Sequence, residues 1–408
     1  MKQPELLAPA GDLEKLKVAV LYGADAVYLG GKHFSLRAGS GNFSAAEMSE
    51  GVQFAHARGV RVYAAVNIFA HNKDLELLPA YLEFIQRVGV DGVIVSDPGV
   101  ISLVQKLHPG LPVHLSTQAN TTNWVAARFW EEQGVARIIL ARELSLAEIK
   151  EIRRQVGVEL EMFVHGAMCI AYSGRCLLSS YLTGRGANQG DCAQSCRWKY
   201  ALAEENRPGE YLPFEEDGRG SYILSSRDLC LIEHLPDLIE AGVNSIKIEG
   251  RMKSIHYVAG VVKAYREALD AFGADGPNSF NPVWLDEIGK VSHREYTTGF
   301  LFGRPGAAGQ HYDSKIYRRR YSFIGLVRSY DALTGLATIE QRNRFAIGDE
   351  VEILTPEGRP VQQRIKTIYD EEGGRLEAAP HPQQVVRIPV DREVTAYSML
   401  RKPIAEIK

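Results

Sequence analysis

The stretch from Glu5 to Gly30 reads ELLAPAGDLEKLKVAVLYGADAVYLG and sets the pattern for most of the chain. An apolar run, Glu5–Pro9, is followed by a segment in which Leu13, Leu16, Val20 and Leu21 form one stripe at helical spacing. Gly23 stands where a helix would stop, and a second apolar run, Ala26–Gly30, begins soon after it. Strand, helix, glycine stop and strand make one β/α repeat.

The repeat recurs along the sequence. Further strand candidates are Arg61–Asn67, Gly92–Ser96, Pro112–Ser116, Arg137–Arg142, Glu159–His165 and Ser245–Glu249. Most are continuous Val/Ile/Leu/Ala runs without alternation, as expected of parallel strands covered on both faces. A second helical stripe falls at Leu77, Tyr81, Phe84 and Ile85, and Gly89 and Gly242 repeat the role of Gly23. Eight units over roughly 270 residues predict an α/β fold of the (β/α)8, TIM-like type. A doubly wound open sheet is the alternative, since periodicity does not prove closure.

The chain has 408 residues, 45% hydrophobic and 24% charged, an ordinary globular profile long enough for more than one domain. No apolar run approaches the roughly 18 residues of a membrane helix, and the start, MKQPELLAPAGD, lacks the pattern of a signal peptide. A cytoplasmic, reducing location is therefore expected, where cysteines are poor disulfide candidates. The net charge of −3 does not mark a general nucleic-acid binder, although it leaves room for a local basic face.

The seventh unit departs from the pattern. Between its strand and a helix expected over about Ser226–Ala241 lies an insertion, about 166–225, in which Cys169, Cys176, Cys192 and Cys196 cluster. So long a loop is uncommon unless functional, and in a barrel it must lie on the C-terminal face where active sites form. Cys230 falls in the first turn of the expected helix, which brings all five cysteines to one neighbourhood. The spacing C-x6-C-x15-C-x3-C lacks the two short hooks of a zinc ribbon, but loops can still wrap a [4Fe–4S] cluster on four thiolates. Buried, inert cysteines are the plainer alternative. Cys169, Cys176 and Cys192 lead the ligand set, with Cys196 ahead of Cys230.

Polar residues collect at the predicted strand ends: Asn67, Ser96, Asp97, Ser116, Gln118, Arg142, His165, Glu249 and Arg251. Together they describe a polar pocket for a small carboxylate, bound by Asn67, Gln118, Arg142 and Arg251, with both arginines as carboxylate forks. His165 and Glu249 are the catalytic candidates. His165 stands four residues before Cys169, so a Cys–His nucleophilic pair is conceivable, but neither an HExxH nor a GxSxG motif is present. A Gly30–Gly31 pair after the second strand would permit close approach of a phosphate.

Basic and aromatic residues interleave at Arg175, Arg185, Arg197, Trp198, Lys199 and Tyr200, and again at Tyr317–Tyr321 (YRRRY). Such mixtures suit single-stranded RNA with unstacked bases, although Arg318–Arg320 alone read as a solvated linker face. From Tyr321 short alternating runs (Phe323–Val327, Leu336–Gln341, Glu350–Leu354, Gln362–Tyr369, Val385–Val390) are split by turns, which predicts a small β-barrel. The expected domains are a barrel over 1–275, a linker with a short helix over 276–320 and the β-domain over 321–408.

ELLAPAGDLEKLKVAVLYGADAVYLG, EMFVHGAMCIAYSGRCLLSSYL, GDCAQSCRWKY and SIKIEGRMKS resemble the collagenase-like peptidase family U32. The resemblance implies one of two activities. The first is hydroxylation of a tRNA wobble uridine to 5-hydroxyuridine, with prephenate as co-substrate and a [4Fe–4S] cluster on Cys169, Cys176, Cys192 and Cys196. That cluster could be lost or replaced by zinc on aerobic purification. The second is the peptide hydrolysis of the family's historical name. The tRNA branch implies an anticodon arm held by Arg185, Arg197, Trp198, Lys199 and the β-domain, no membrane partner, and room for a homo-oligomer or a paralogous subunit.

Overall fold

The continuous apolar runs become eight parallel strands in the computed structural model, which describes residues 3–35, 41–168, 178–185, 192–195, 198, 226–305 and 317–404, with two short backbone strands at 216–217 and 220–221. β1 (Glu5–Pro9), β2 (Ala26–Leu29), β3 (Arg61–Val66), β4 (Gly92–Val95), β5 (Val113–Leu115), β6 (Arg137–Ile139) and β7 (Glu159–Ala167) each pair with the next. β8 (Ser245–Ile248) pairs with both β7 and β1, so the barrel closes and the open-sheet alternative falls.

Helices cover the outside: α1 (Leu13–Leu21), α2 (Ala45–His56), α3 (Leu78–Val88), α4 (Pro98–Leu107), α5 (Trp124–Glu132), α6 (Leu146–Gln155), α7 (Leu235–Glu240) and α8 (Ile255–Asp275). Asp12, Ser44, Asp97, Asn123, Ser145 and Ser254 cap six of them by accepting a backbone N–H, a local signal that fixes where each strand-end loop stops. Of the stripe expected on α3, Tyr81, Phe84 and Ile85 pack on the core and Leu77 does not. Leu78, Leu82 and Ile85 are buried while Leu77 is 65% exposed, because the helix starts at Leu78 with Pro79 in its first turn.

The barrel interior is charged. Lys247 on β8 donates to Glu161 on β7 (3.0 Å), and Arg137 on β6 donates to Glu161 (3.0 Å) and to Glu5 on β1 (2.6 Å). Tyr63 Oη donates to the second oxygen of Glu5 (2.9 Å). Burial alone would raise the Glu161 pKa, but Lys247 and Arg137 outweigh it and hold the carboxyl at about 2. Each charge in this water-poor space has an opposite charge in contact, the condition under which buried ions are tolerated.

The region after the insertion differs from expectation. Ser226–Ala241 is not one helix. Asp228–Cys230 is a short strand antiparallel to the end of β7, with Cys230 opposite His165, and α7 begins only at Leu235, with Pro236 in its first turn. A second short strand, Tyr296–Thr297, lies along Asp228–Leu229, and His293 exchanges backbone bonds with Arg318 (3.1 and 2.8 Å). These pieces form a strap against the C-terminal end of β7. Asp228 and Arg294, both about 2% exposed, fasten it with a 2.8 Å ion pair.

The C-terminal strands are β9 (Tyr321–Asp331), β10 (Leu336–Gln341), β11 (Glu350–Leu354), β12 (Val361–Arg364), β13 (Ile368–Tyr369), β14 (Arg375–Leu376), β15 (Val385–Pro389) and β16 (Met399–Pro403). They form an antiparallel sheet in the order β12-β11-β16-β9-β10-β15-β13-β14, bent by register shifts in β9 and closed over its own apolar core. The sheet is locked to the barrel. Leu326, Leu354 and Met399 join the barrel's core, and the single Tyr22 hydroxyl proton is shared between the carbonyls of Leu354 and Tyr397 (2.9 and 3.0 Å). Arg401 is fully buried at the seam, held by Glu352 and by both oxygens of Glu287 (2.6 Å each).

Candidate active site at the barrel mouth

Residues just past β3 and β5 build a buried amide cluster at the C-terminal face. Asn67 Nδ2 donates to Gln118 Oε1 (2.8 Å), and Ser116 Oγ donates to the same oxygen (3.1 Å). Asn120 is forced into the left-handed region (φ 53°) and donates to the Gln118 carbonyl (2.9 Å). With its oxygen doubly used, Gln118 presents Nε2 as a buried donor without an acceptor among the described residues, and Asn120 Oδ1 and Thr121 Oγ1 are likewise unmatched. Buried polar atoms are seldom left unpaired, so three within four residues at a strand end are what a polar ligand or ordered water would satisfy. Asn67 and Gln118 are thus brought together. Thr121 was not foreseen, and no periodic signal marks it.

The two arginines lie apart from each other. Arg142 donates to the Ala167 carbonyl (2.7 Å), and its guanidinium covers the Phe163 ring at 4.9 Å. Arg251 is 4% exposed and engages Ser35 Oγ (2.8 Å) and Asn42. Its position explains the glycine pair better than a phosphate does. A Cβ on Gly30 would stand 2.2 Å from Ser35 Oγ and 2.4 Å from Arg251 Nη2. The close approach that glycine permits here is made by protein groups.

His165 turns away from the amide cluster. The register slips between Lys247 and Ile248, so His165 pairs with Ile248 and its ring meets Tyr257 and Tyr265 of α8 and Tyr296 of the strap, at 5.3–5.9 Å between centroids. Tyr265 Oη donates its one proton to the Val164 carbonyl (2.9 Å) and so accepts from His165 Nδ1 (3.3 Å), which leaves Nε2 as a buried acceptor without a donor among the described residues. Burial drives the imidazole pKa down to about 3, so the ring is neutral. At 1% exposure it touches no solvent, which separates it from the mouth groups expected to act with it. Glu249 is half-buried. Its backbone N–H donates to the His165 carbonyl (2.9 Å), and its carbonyl accepts from Tyr257 Oη (2.9 Å). Gly166 (φ 104°) faces it so closely that a Cβ would lie 2.6 Å from that carbonyl.

Lys253, just past Arg251 in SIKIEGRMKS, escaped the sequence reading. It donates to the Ser292 carbonyl (3.2 Å), lies between the faces of Tyr257 (5.1 Å) and Tyr317 (5.3 Å), and has no carboxylate within ion-pair distance among the described residues. Of the expected RNA contacts, Arg185 is exposed and Trp198 is 43% exposed, while Arg197 and Lys199 lie outside the described residues.

Comparison with known sequences identifies the lineage. The profile of peptidase family U32 matches residues 11–311, and that of the peptidase family U32 C-terminal domain matches 319–401. The chain belongs to peptidase family U32. Among relatives, tRNA hydroxylation protein P1 of Bacillus subtilis is 47% identical across 98% of this chain and 95% of its own length. The tRNA hydroxylation protein P of Escherichia coli is 38% identical across 98% and 97%. A 23S rRNA 5-hydroxycytidine synthase of Escherichia coli is 36% identical across 79% of this chain and 48% of its own.

In this U32 chain the two described cysteines differ in kind. Cys192 is half-buried and its Sγ accepts the backbone N–H of Gln194 (3.4 Å), a residue held at φ 55°. Cys230 is buried against Tyr265 Oη (4.0 Å), and burial pushes its thiol up to about 11. Cys230 sits on a short core strand opposite His165 and not in the first turn of a helix, because Asp228–Cys230 pairs with the end of β7. Cys169, Cys176 and Cys196 lie outside the described residues, and no group of three metal-ligating side chains occurs among those described.

Proposed function

We propose that this protein is an RNA-modifying enzyme that hydroxylates a pyrimidine of tRNA, the wobble uridine to 5-hydroxyuridine, with prephenate as oxygen donor. The full-length similarity to tRNA hydroxylation proteins carries the reading. The unmatched polar atoms around Gln118 support it, since a carboxylate co-substrate would accept from Nε2 at a barrel's C-terminal face. Asn67 orients that amide, and Arg142 supplies positive charge beside the end of β7.

A [4Fe–4S] cluster would be held by Cys192 with Cys169, Cys176 and Cys196: the half-buried Cys192 Sγ accepts a backbone N–H as a cluster sulfur does, while Cys230 is buried in the core against Tyr265. When bound, the cluster would supply a redox or Lewis-acid centre beside the mouth. His165, sealed among tyrosines, acts by fixing the strap over β7. Peptide hydrolysis gains no support from the described residues: the neutral His165 bonds to Tyr265, and Cys230 is held protonated.

The test is nucleoside analysis of tRNA from cells lacking the gene and complemented with variants. Wild type should restore 5-hydroxyuridine and Cys192→Ser should not. Restoration by Cys192→Ser would remove the cluster from the reading. On protein purified without oxygen, iron content and the visible spectrum should be lost in Cys192→Ser and kept in Cys230→Ala.

A further inference from the structure

We infer that Tyr317 and Lys253 form a nucleotide step on the rim of the mouth, where the exposed face of Tyr317 stacks an unpaired RNA base and the Lys253 ammonium meets its phosphate. The inference rests on the proposed RNA substrate and assigns it a surface. Lys253 follows β8 at the C-terminal face, and Tyr317 reaches it through the strap, whose backbone bonds between His293 and Arg318 set its position.

Three observations single out this pair. Lys253 spends one of its three donors on the Ser292 carbonyl and has no carboxylate within ion-pair distance among the described residues, so donors of its ammonium are left for a ligand. It lies between two tyrosine rings, one on a buried residue (Tyr257) and one on a residue that is 48% exposed (Tyr317), so the half-exposed ring has a cation over one face. Beside it, exposed Arg319 bonds only neutral acceptors, the Tyr321 carbonyl (2.9 Å) and Ser322 Oγ (2.7 Å). Neighbouring Arg318 and Arg227 both pair with Glu295, and Arg320 is paired with Asp286. Lys253 thus lies over the Tyr317 ring, and Arg319 follows two residues on in the chain without a carboxylate partner among the described residues. An aromatic platform flanked by free cations is the arrangement that holds unstacked bases and their backbone without reading sequence. A small carboxylate would use the ammonium but leave the exposed ring without a role.

The experiment is equilibrium binding of the full-length protein to a stem–loop RNA and to a fully paired duplex, at several salt concentrations. Tyr317→Ala should weaken stem–loop binding about fivefold or more and leave duplex binding within about twofold. Lys253→Gln should lower the slope of log affinity against log salt by about 0.7, the value for one phosphate contact to a single strand, and Lys253→Arg should restore it. Wild-type protein that binds neither RNA would remove the RNA reading itself. Wild type that prefers the stem–loop while both variants bind it equally well would overturn this inference alone. So would a Lys253→Gln variant with unchanged RNA affinity but a raised KM for the carboxylate co-substrate.

Discussion

Gln118 shows how a single side chain defines a site. Its carbonyl oxygen accepts from Asn67 and Ser116, and that double use orients Nε2 into a space where nothing described accepts it. Gln118→Met keeps the shape, abolishes the unmatched donor and strands two donors of its neighbours. Each lost bond costs about 1 kcal/mol, so unfolding by urea should show about 1–2 kcal/mol of destabilisation with the fold intact. Hydroxylation should fall far more, at least about tenfold at sub-saturating co-substrate, because the same donor holds the carboxylate in both ground and transition states. An unchanged KM for the carboxylate would contradict this placement. Gln118 and Asn67 were legible because both follow apolar runs ending on the barrel's functional face. Lys253 was not, because its importance lies in the absence of a counter-ion, which only packing reveals.

At the scale of an element, the strap after the insertion is the piece that sequence could not show. The eight barrel strands are legible because each is a run of apolar residues whose burial on both faces forbids alternation. Asp228–Leu229–Cys230 is too short to have a period, and it stands beside apolar residues that suit a helix. Its backbone groups go instead to β7, since Leu231 N–H donates to the Val164 carbonyl (2.9 Å). The partner that fixes it, Arg294, is distant in sequence. Burial raises the Asp228 carboxyl, but Arg294 outweighs it and holds the pKa below the usual range. Asp228→Ala removes the carboxylate that pairs with the buried Arg294 guanidinium, which should destabilise by about 3 kcal/mol. The same change should loosen amide-exchange protection across the end of β7, while β2 and β3 keep theirs. Loss of stability spread evenly over the barrel would instead make Asp228 a general core group.

Across the whole molecule, buried charge links the barrel, the mouth and the C-terminal sheet, and it sets how the protein responds to acid. His114 lies in the barrel interior, His165 under the strap and His256 at the domain seam, stacked on Phe323 and accepting from Arg401 (3.3 Å). Burial lowers all three, to about 3 for His114 and His165, and each is neutral in the fold. None of this is visible in sequence, where a lone histidine between apolar residues carries no sign of its surroundings. In the unfolded chain these rings take up protons below about 6.5, so between that pH and about 3 the unfolded state binds more protons and stability rises with pH. Each histidine contributes about 1.4 kcal/mol per pH unit once fully protonated in the unfolded chain, or about 4 kcal/mol per unit for the three together. Carboxylates held low by ion pairs, such as Glu161 and Glu352, add to the loss only at lower pH, where unfolded carboxyls take up protons. Urea unfolding should therefore show nearly constant stability between pH 7 and 8 and a steep fall from about pH 6 to 5. His256→Phe, which can keep the stacking on Phe323, should reduce that slope by about a quarter to a third, since burial lowers His293 as well, and an unchanged slope would mean that His256 is already protonated in the folded protein.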